Sequence, residues 1–98
     1  MTADKELLEL AAKACGYNYA NAALWNGREV VAYEWNPIAD DGDALRLAVK
    51  LGMSIDFGTK YAFATTLHTE AQEELNSDPY AATRRAIVRA AAAIGAEK

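Results

Sequence analysis

Glu34-Trp35-Asn36-Pro37-Ile38-Ala39-Asp40-Asp41-Gly42-Asp43 runs directly into Ala44-Leu45-Arg46-Leu47-Ala48-Val49-Lys50-Leu51-Gly52. The first half reads as a strand end and a tight turn, the second as a short central helix. Pro37 fixes its own φ and pushes Asn36 towards extended geometry, so no helix passes through Asn36-Pro37. Asp40 or Asp41 is placed to accept from the unpaired amides that open the next helix. With Asp40 as the cap, Asp43 falls at the third helical position. That is a short-armed version of the capping box, and it sets negative charge at the positive end of the helix dipole. Ala44, Leu47, Ala48 and Leu51 recur at helical spacing, and Leu45 and Val49 widen that face. Asp43, Arg46 and Lys50 leave one thin polar stripe, which predicts a mostly buried helix. Gly52 is its left-handed terminator.

Upstream, Thr2 is placed to cap a first helix of roughly a dozen residues. Leu7, Leu8, Ala11, Ala14 and Cys15 share one face of it, Lys5, Glu6, Glu9 and Lys13 look outward, and Gly16 ends it. From Tyr17 to Tyr33 the period changes to two. Asn26-Gly27 is a hairpin signal, because both residues tolerate positive φ. A loop of those two residues pairs Trp25 with Arg28, Ala23 with Val30, Asn21 with Ala32 and Tyr19 with Glu34. Both faces of the hairpin are then largely apolar, which a half-exposed antiparallel sheet would not show. The pattern implies a sheet covered by helices on both sides.

Downstream, Met53 to Phe57 reads as a strand, Gly58-Thr59 as a turn and Lys60 to Leu67 as the partner strand. From His68 to Ser77 the pattern weakens. Glu70, Glu73 and Glu74 make the segment acidic, and it reads as a mobile surface loop or a frayed helical turn. Asp78 as cap and Pro79 at the first helical position open a long last helix. Its buried stripe is Tyr80, Thr83, Ile87, Ala90, Ala91 and Ile94, and Gly95 is expected to end it.

The chain of 98 residues is long enough for one domain with a real core, spanning 1–98. It is 52% apolar, much of that alanine, so its elements should pack closely. Ten basic residues against fourteen acidic ones give a net charge of -4, which argues against general nucleic-acid coating and against an anionic membrane surface. No apolar run approaches the ~18 residues of a membrane span. Met1-Thr2-Ala3-Asp4-Lys5-Glu6 lacks the basic-then-apolar plan of a signal peptide. A lone cysteine makes no internal disulfide and suits a reducing compartment. The elements add up to an α+β fold of order α-β-β-α-β-β-α, with an antiparallel sheet covered by helices on both faces.

The segments from Glu34 to Leu51 and from Asp78-Pro79-Tyr80-Ala81-Ala82-Thr83-Arg84-Arg85 to Ala91 resemble those of small tailed-phage and prophage proteins grouped as a phage ABA sandwich domain. The first helix holds the same place in that family, so the resemblance covers nearly the whole chain apart from the hairpins. It implies helices on both faces of an antiparallel sheet, a phage origin and action in the bacterial host cytoplasm. It brings no activity and no catalytic residue.

Asp40, Asp41 and Asp43 cluster oxygen ligands as a hard cation requires. Their spacing fails the calcium-loop pattern, and capping accounts for all three. Arg84, Arg85 and Arg89 form either a small basic patch for phosphate or an acidic partner, or a solvated face pairing with Glu70, Glu73, Glu74 or Asp78. His68 and Cys15 fall on different elements and do not read as a catalytic pair. Trp35 reads as a core plug. Trp25, beside the hairpin tip, reads either as an exposed anchor for a partner or as a cross-strand neighbour of Arg28. No phosphate-cradling glycine loop, zinc spacing or nucleophile motif occurs, so no cofactor, metal or catalytic residue is expected. The expected function is a non-enzymatic accessory role through binding a host or phage protein, or another copy of itself. Nucleic-acid or nucleotide binding through the arginines is the alternative.

Overall fold

The structure, a computed structural model, describes residues 2–98, with the side chains of Thr2 and Ala3 outside the description. The cap expected of Thr2 therefore lies outside the described residues. Three helices, α1 (Thr2–Ala14), α2 (Asp41–Leu51) and α3 (Pro79–Ala96), alternate with two groups of strands. The first group is β1 (Asn18–Ala20), β2 (Ala23–Asn26) and β3 (Glu29–Ala32), and the second is β4 (Ser54–Phe57), β5 (Tyr61–Thr65) and β6 (Glu70–Glu74). The fold is α+β, and every strand pair is antiparallel. Each hairpin gains one strand over the order expected from sequence. The strands form two separate sheets, β1-β2-β3 and β4-β5-β6, rather than one.

The extra strand of the first sheet comes from a turn that the sequence hides. Asn21 and Ala22 both take positive φ, 52° and 58°, which is the backbone of a two-residue mirror-image hairpin turn. It joins Ala20 to its partner Ala23, so the long strand expected from Tyr17 onward is broken in two. The next loop is also displaced by one residue. Asn26 stays in the ladder opposite Glu29, and Trp25 pairs with Val30 instead of Arg28. Gly27 supplies the one positive φ, +65°, at the first central position, where a turn of the II′ kind needs it. An irregularity between Leu24 and Trp25 then sets Leu24 opposite Ala32. Part of the apolar surface that suggested helical cover on both sides stays open, with Val31 and Tyr33 exposed.

The extra strand of the second sheet is β6, which occupies the segment expected to be a loop or frayed turn. Glutamate and glutamine are poor strand formers, but pairing overrides propensity here. Ala71 is buried opposite Ala64, and α3 packs across β5 and β6. The charged residues Glu70 and Glu74 remain on an outer strand, where they discourage edge-to-edge association. The β4–β5 turn is Gly58–Lys60, closed by Gly58 N–H donating to Tyr61 O at 2.9 Å.

Turn chemistry behaves as expected around α2 and α3. Asp40 caps α2, its Oδ2 accepting from Asp43 N–H at 2.8 Å, and Gly52 closes the helix at φ 65°. Asp78 caps α3, accepting from Ala81 N–H at 3.0 Å, with Pro79 behind it. Asn36 organises the turn before α2. Its side-chain Oδ1 accepts from Ile38 and Ala39 N–H, and its carbonyl accepts from Ala39 and Asp40 N–H. Asp43 does not reach back to the cap residue. It is buried and accepts from Asn36 N–H at 2.9 Å and from Arg46 Nη2 at 2.7 Å.

The core is built largely of alanine: Ala11, Ala12, Ala44, Ala48, Ala64, Ala71, Ala86, Ala90 and Ala91 surround Leu8, Leu24, Trp35, Leu47, Ile87 and Val88. Small side chains let α3 lie close to α1, to α2 and to the second sheet at once. Gly95 is part of this. It is buried and α3 runs past it to Ala96, so it serves helix contact rather than termination. Two other expectations about burial change. Tyr80 leaves the buried stripe of α3 and is exposed, and α2 keeps Leu45 and Val49 exposed instead of being mostly buried.

Candidate partner-binding groove

Those exposed side chains converge. A groove of about 590 Å³ opens between the first turns of α2, the first turns of α3 and the end of β4. Its inner wall is Ala44, Ala48, Ile55 and Ile87, and its mouth carries Leu45, Phe57 and Tyr80. Those three large side chains are 63%, 62% and 70% exposed. The helices place them by simple periodicity. On α2, Ala44 and Ala48 are four residues apart, with Leu45 beside them; on α3, Tyr80, Thr83 and Ile87 share one side. On β4, Ile55 and Phe57 alternate with Ser54 and Asp56 and so point to the same face. The two charges in the lining, Asp41 and Arg84, are paired with each other at 2.6 Å. The site is therefore apolar, with no free acid–base pair in its lining. It is suited to holding apolar side chains.

The arginines of α3 are all engaged, each with a different element. Arg84 is mostly buried, donates from Nε to Ile38 O at 2.7 Å and pairs with Asp41, tying the turn before α2 to α3. Arg85 reaches Asp4 of α1 at 3.4 Å through two nitrogens. Arg89 holds β6, donating to Gln72 O at 3.1 Å and to Glu73 Oε2 at 2.5 Å. Of the partners expected for these side chains only Glu73 is used. The three do not form one shared patch, since Arg84, Arg85 and Arg89 point to α2, α1 and β6 in turn.

Trp25 is half-buried, and its indole N–H donates to Ala20 O at 2.9 Å across the first sheet. That bond ties the indole N–H back to β1, with the ring beside the second hairpin turn. Trp35 is a core plug, with its ring centroid 6.0 Å from that of Tyr19. Cys15 lies in a cleft with Tyr17, Trp35 and Lys50, and burial pushes its thiol above the ordinary range despite the opposing charges of Lys50 and Lys98. His68 lines a different cleft with Thr66, Thr69 and Lys98. Among the described residues, no three His, Cys, Asp or Glu side chains are arranged to hold a metal ion. No described helix is long and apolar enough to cross a membrane.

Leu45 and Tyr80 were legible in the sequence only as core candidates and Phe57 only as a strand end, because a side chain that completes a groove has the same period as one that completes a core. The usable signal was the width of the apolar face of α2, where Leu45 and Val49 add to Ala44, Leu47, Ala48 and Leu51. No family model, curated protein or solved structure matches the chain.

Proposed function

We propose that the chain is a small non-enzymatic binding protein that holds an apolar segment of a partner protein in the groove between α2, α3 and β4. The observation that carries this is the grouping of Leu45, Phe57 and Tyr80, all well exposed, around one apolar hollow. Scattered exposed apolar residues are ordinary on any surface, but a contiguous cluster rimmed by polar groups marks an interaction site. Covering the exposed parts of three such side chains contributes on the order of 4 kcal/mol before association costs. The resemblance to phage ABA sandwich proteins supports a phage or prophage origin and work in the host bacterial cytoplasm.

Mass-resolved size-exclusion chromatography tests the reading. The purified protein, alone and mixed with bacterial lysate, is compared with a Leu45→Glu variant whose folding is checked by circular dichroism. A heavier species that forms with the native chain and disappears with the variant is the expected outcome. A heavier species indifferent to Leu45→Glu would move the binding surface elsewhere.

A further inference from the structure

The second sheet ends on β4, and the hydrogen-bond parity of that strand is fixed. Gly58 N–H donates to Tyr61 O, so Gly58 and Tyr61 form a bonded pair. Bonded and non-bonded pairs alternate along an antiparallel ladder. With Phe57 opposite Ala62 and Asp56 opposite Phe63, it is Asp56 and Ser54 that spend their backbone groups on β5. The far side of β5 agrees. Thr66 N–H donates to Thr69 O and Leu75 N–H to Lys60 O, which sets Ala62 and Ala64 towards β6. Ile55 and Phe57 therefore turn their N–H and C=O groups to the open edge, where no described strand pairs. The same two residues place their side chains in the groove.

We propose that the partner adds an extended segment, antiparallel, to the open edge of β4, and that this segment reads apolar–basic–apolar. The inference rests on the groove reading above. Ile55 and Phe57 together offer two donors and two acceptors to such a strand. Residues directly opposite each other in a ladder share a face. The partner residues facing Ile55 and Phe57 thus drop their side chains into the groove, against Leu45 and Ala48. The residue between them falls on the outer face, opposite Asp56. Main-chain bonds supply what three apolar contacts alone do not, and alternate pockets supply selectivity.

Charge decides between a foreign strand and a second copy. Two β4 strands pairing about a two-fold axis, in the register that uses Ile55 and Phe57 fully, set Asp56 opposite Asp56. Like charges directly opposed are destabilising. The α2 and α3 starts beside the groove add Asp40, Asp41, Asp43 and Asp78 against Arg84, which Asp41 engages, and Arg46, which Asp43 engages at 2.7 Å. A lysine or arginine opposite Asp56 turns the same position favourable.

A displayed library of random nine-residue segments is selected against the native chain and counter-screened against Leu45→Glu. Val49→Glu, an exposed change on the same helix outside the groove lining, serves as the control that should bind normally. Amide exchange is then followed by NMR with the best segment as a synthetic peptide. The expected result is an apolar–Lys/Arg–apolar triplet, with exchange at Ile55 and Phe57 slowed about ten-fold or more and Asp56 unchanged. Segments lost on Leu45→Glu that leave the Ile55 and Phe57 amides unprotected would overturn strand addition and keep the groove. Enriched segments without basic bias would overturn the charge reading. No segment sensitive to Leu45→Glu would remove the groove itself. A dimer of the free protein that already protects Ile55 and Phe57 would replace the foreign strand with a second copy.

Discussion

Gly95 of α3 lies against the backbone of Leu10 in α1: a Cβ at position 95 would stand 1.9 Å from the Leu10 carbonyl oxygen and 2.7 Å from its carbon. Neither atom belongs to a flexible side chain, so the helices must separate to admit a methyl group. Helix propensity argues the other way, since alanine is favoured over glycine by about 1 kcal/mol inside a helix. Overpacking a close backbone contact costs about 1–3 kcal/mol or more and wins. Gly95→Ala is therefore expected to lower the urea midpoint at unchanged slope. A stabilised variant would mean that Gly95 only frays the helix end.

Ala22 holds φ at 58° without being glycine. A left-handed backbone costs a residue with a Cβ about 1–2 kcal/mol, and glycine's extra chain entropy returns roughly half of that. Ala22→Gly should raise stability by about 0.5–1 kcal/mol. The same change at the buried strand residue Ala23 should lower it by about 1 kcal/mol. Thermal unfolding of the two variants gives opposite signs if the Asn21-Ala22 turn is as described. Equal losses would show that β1 and β2 are one strand.

What the sequence made legible were residues that act through their own backbone or the next few amides. Pro37, Asp40, Gly52, Asp78 and Pro79 each do in the structure what their chemistry predicts. The α+β class followed from the change of period at Tyr17 and again at Met53. Features carried by remote partners were not legible. Arg84 meets Asp41 across 43 residues, and nothing local distinguishes it from a solvated arginine. Strand β6 offers one buried alanine among charged and amide residues, so only its pairing with β5 and the cover of α3 make it a strand. The Asn21-Ala22 turn lacks the glycine that usually marks such a turn. The groove was hidden for a further reason: its residues carry the pattern of a core.

The three arginines should differ when replaced singly by alanine. Arg84 is 17% exposed at its side chain and fills two acceptors, so its loss leaves Ile38 O and Asp41 without their donor. About 1.5–3 kcal/mol is expected for charge-assisted bonds of that kind. Arg85 makes long contacts to one oxygen and should stay within about 0.5 kcal/mol of the native chain. Arg89 falls between, at about 1 kcal/mol. Urea denaturation orders them Arg84, Arg89, Arg85. A single-stranded DNA probe at low salt makes the competing case: salt-sensitive binding abolished by Arg85→Glu with Arg89→Glu in the folded chain would return these arginines to a nucleic-acid surface.

Asp43 and Asp40 both accept hydrogen bonds at the start of α2, yet their removal should cost different amounts. Asp40 is exposed and satisfies one helix amide, a cap worth about 1 kcal/mol. Asp43 is buried, holds the Asn36 amide and meets Arg46. Without it, the amide of Asn36 loses its acceptor and Arg46 loses its main partner. Asp43→Ala is expected to lose about 2–3 kcal/mol. Asp43→Asn, which keeps an oxygen for the Asn36 amide, should lose about 1 kcal/mol. Chemical denaturation of the three variants checks the order. If Asp43→Ala proved no worse than Asp40→Ala, the Asn36 bond would have no part in holding the turn, and α2 would be set by its cap alone.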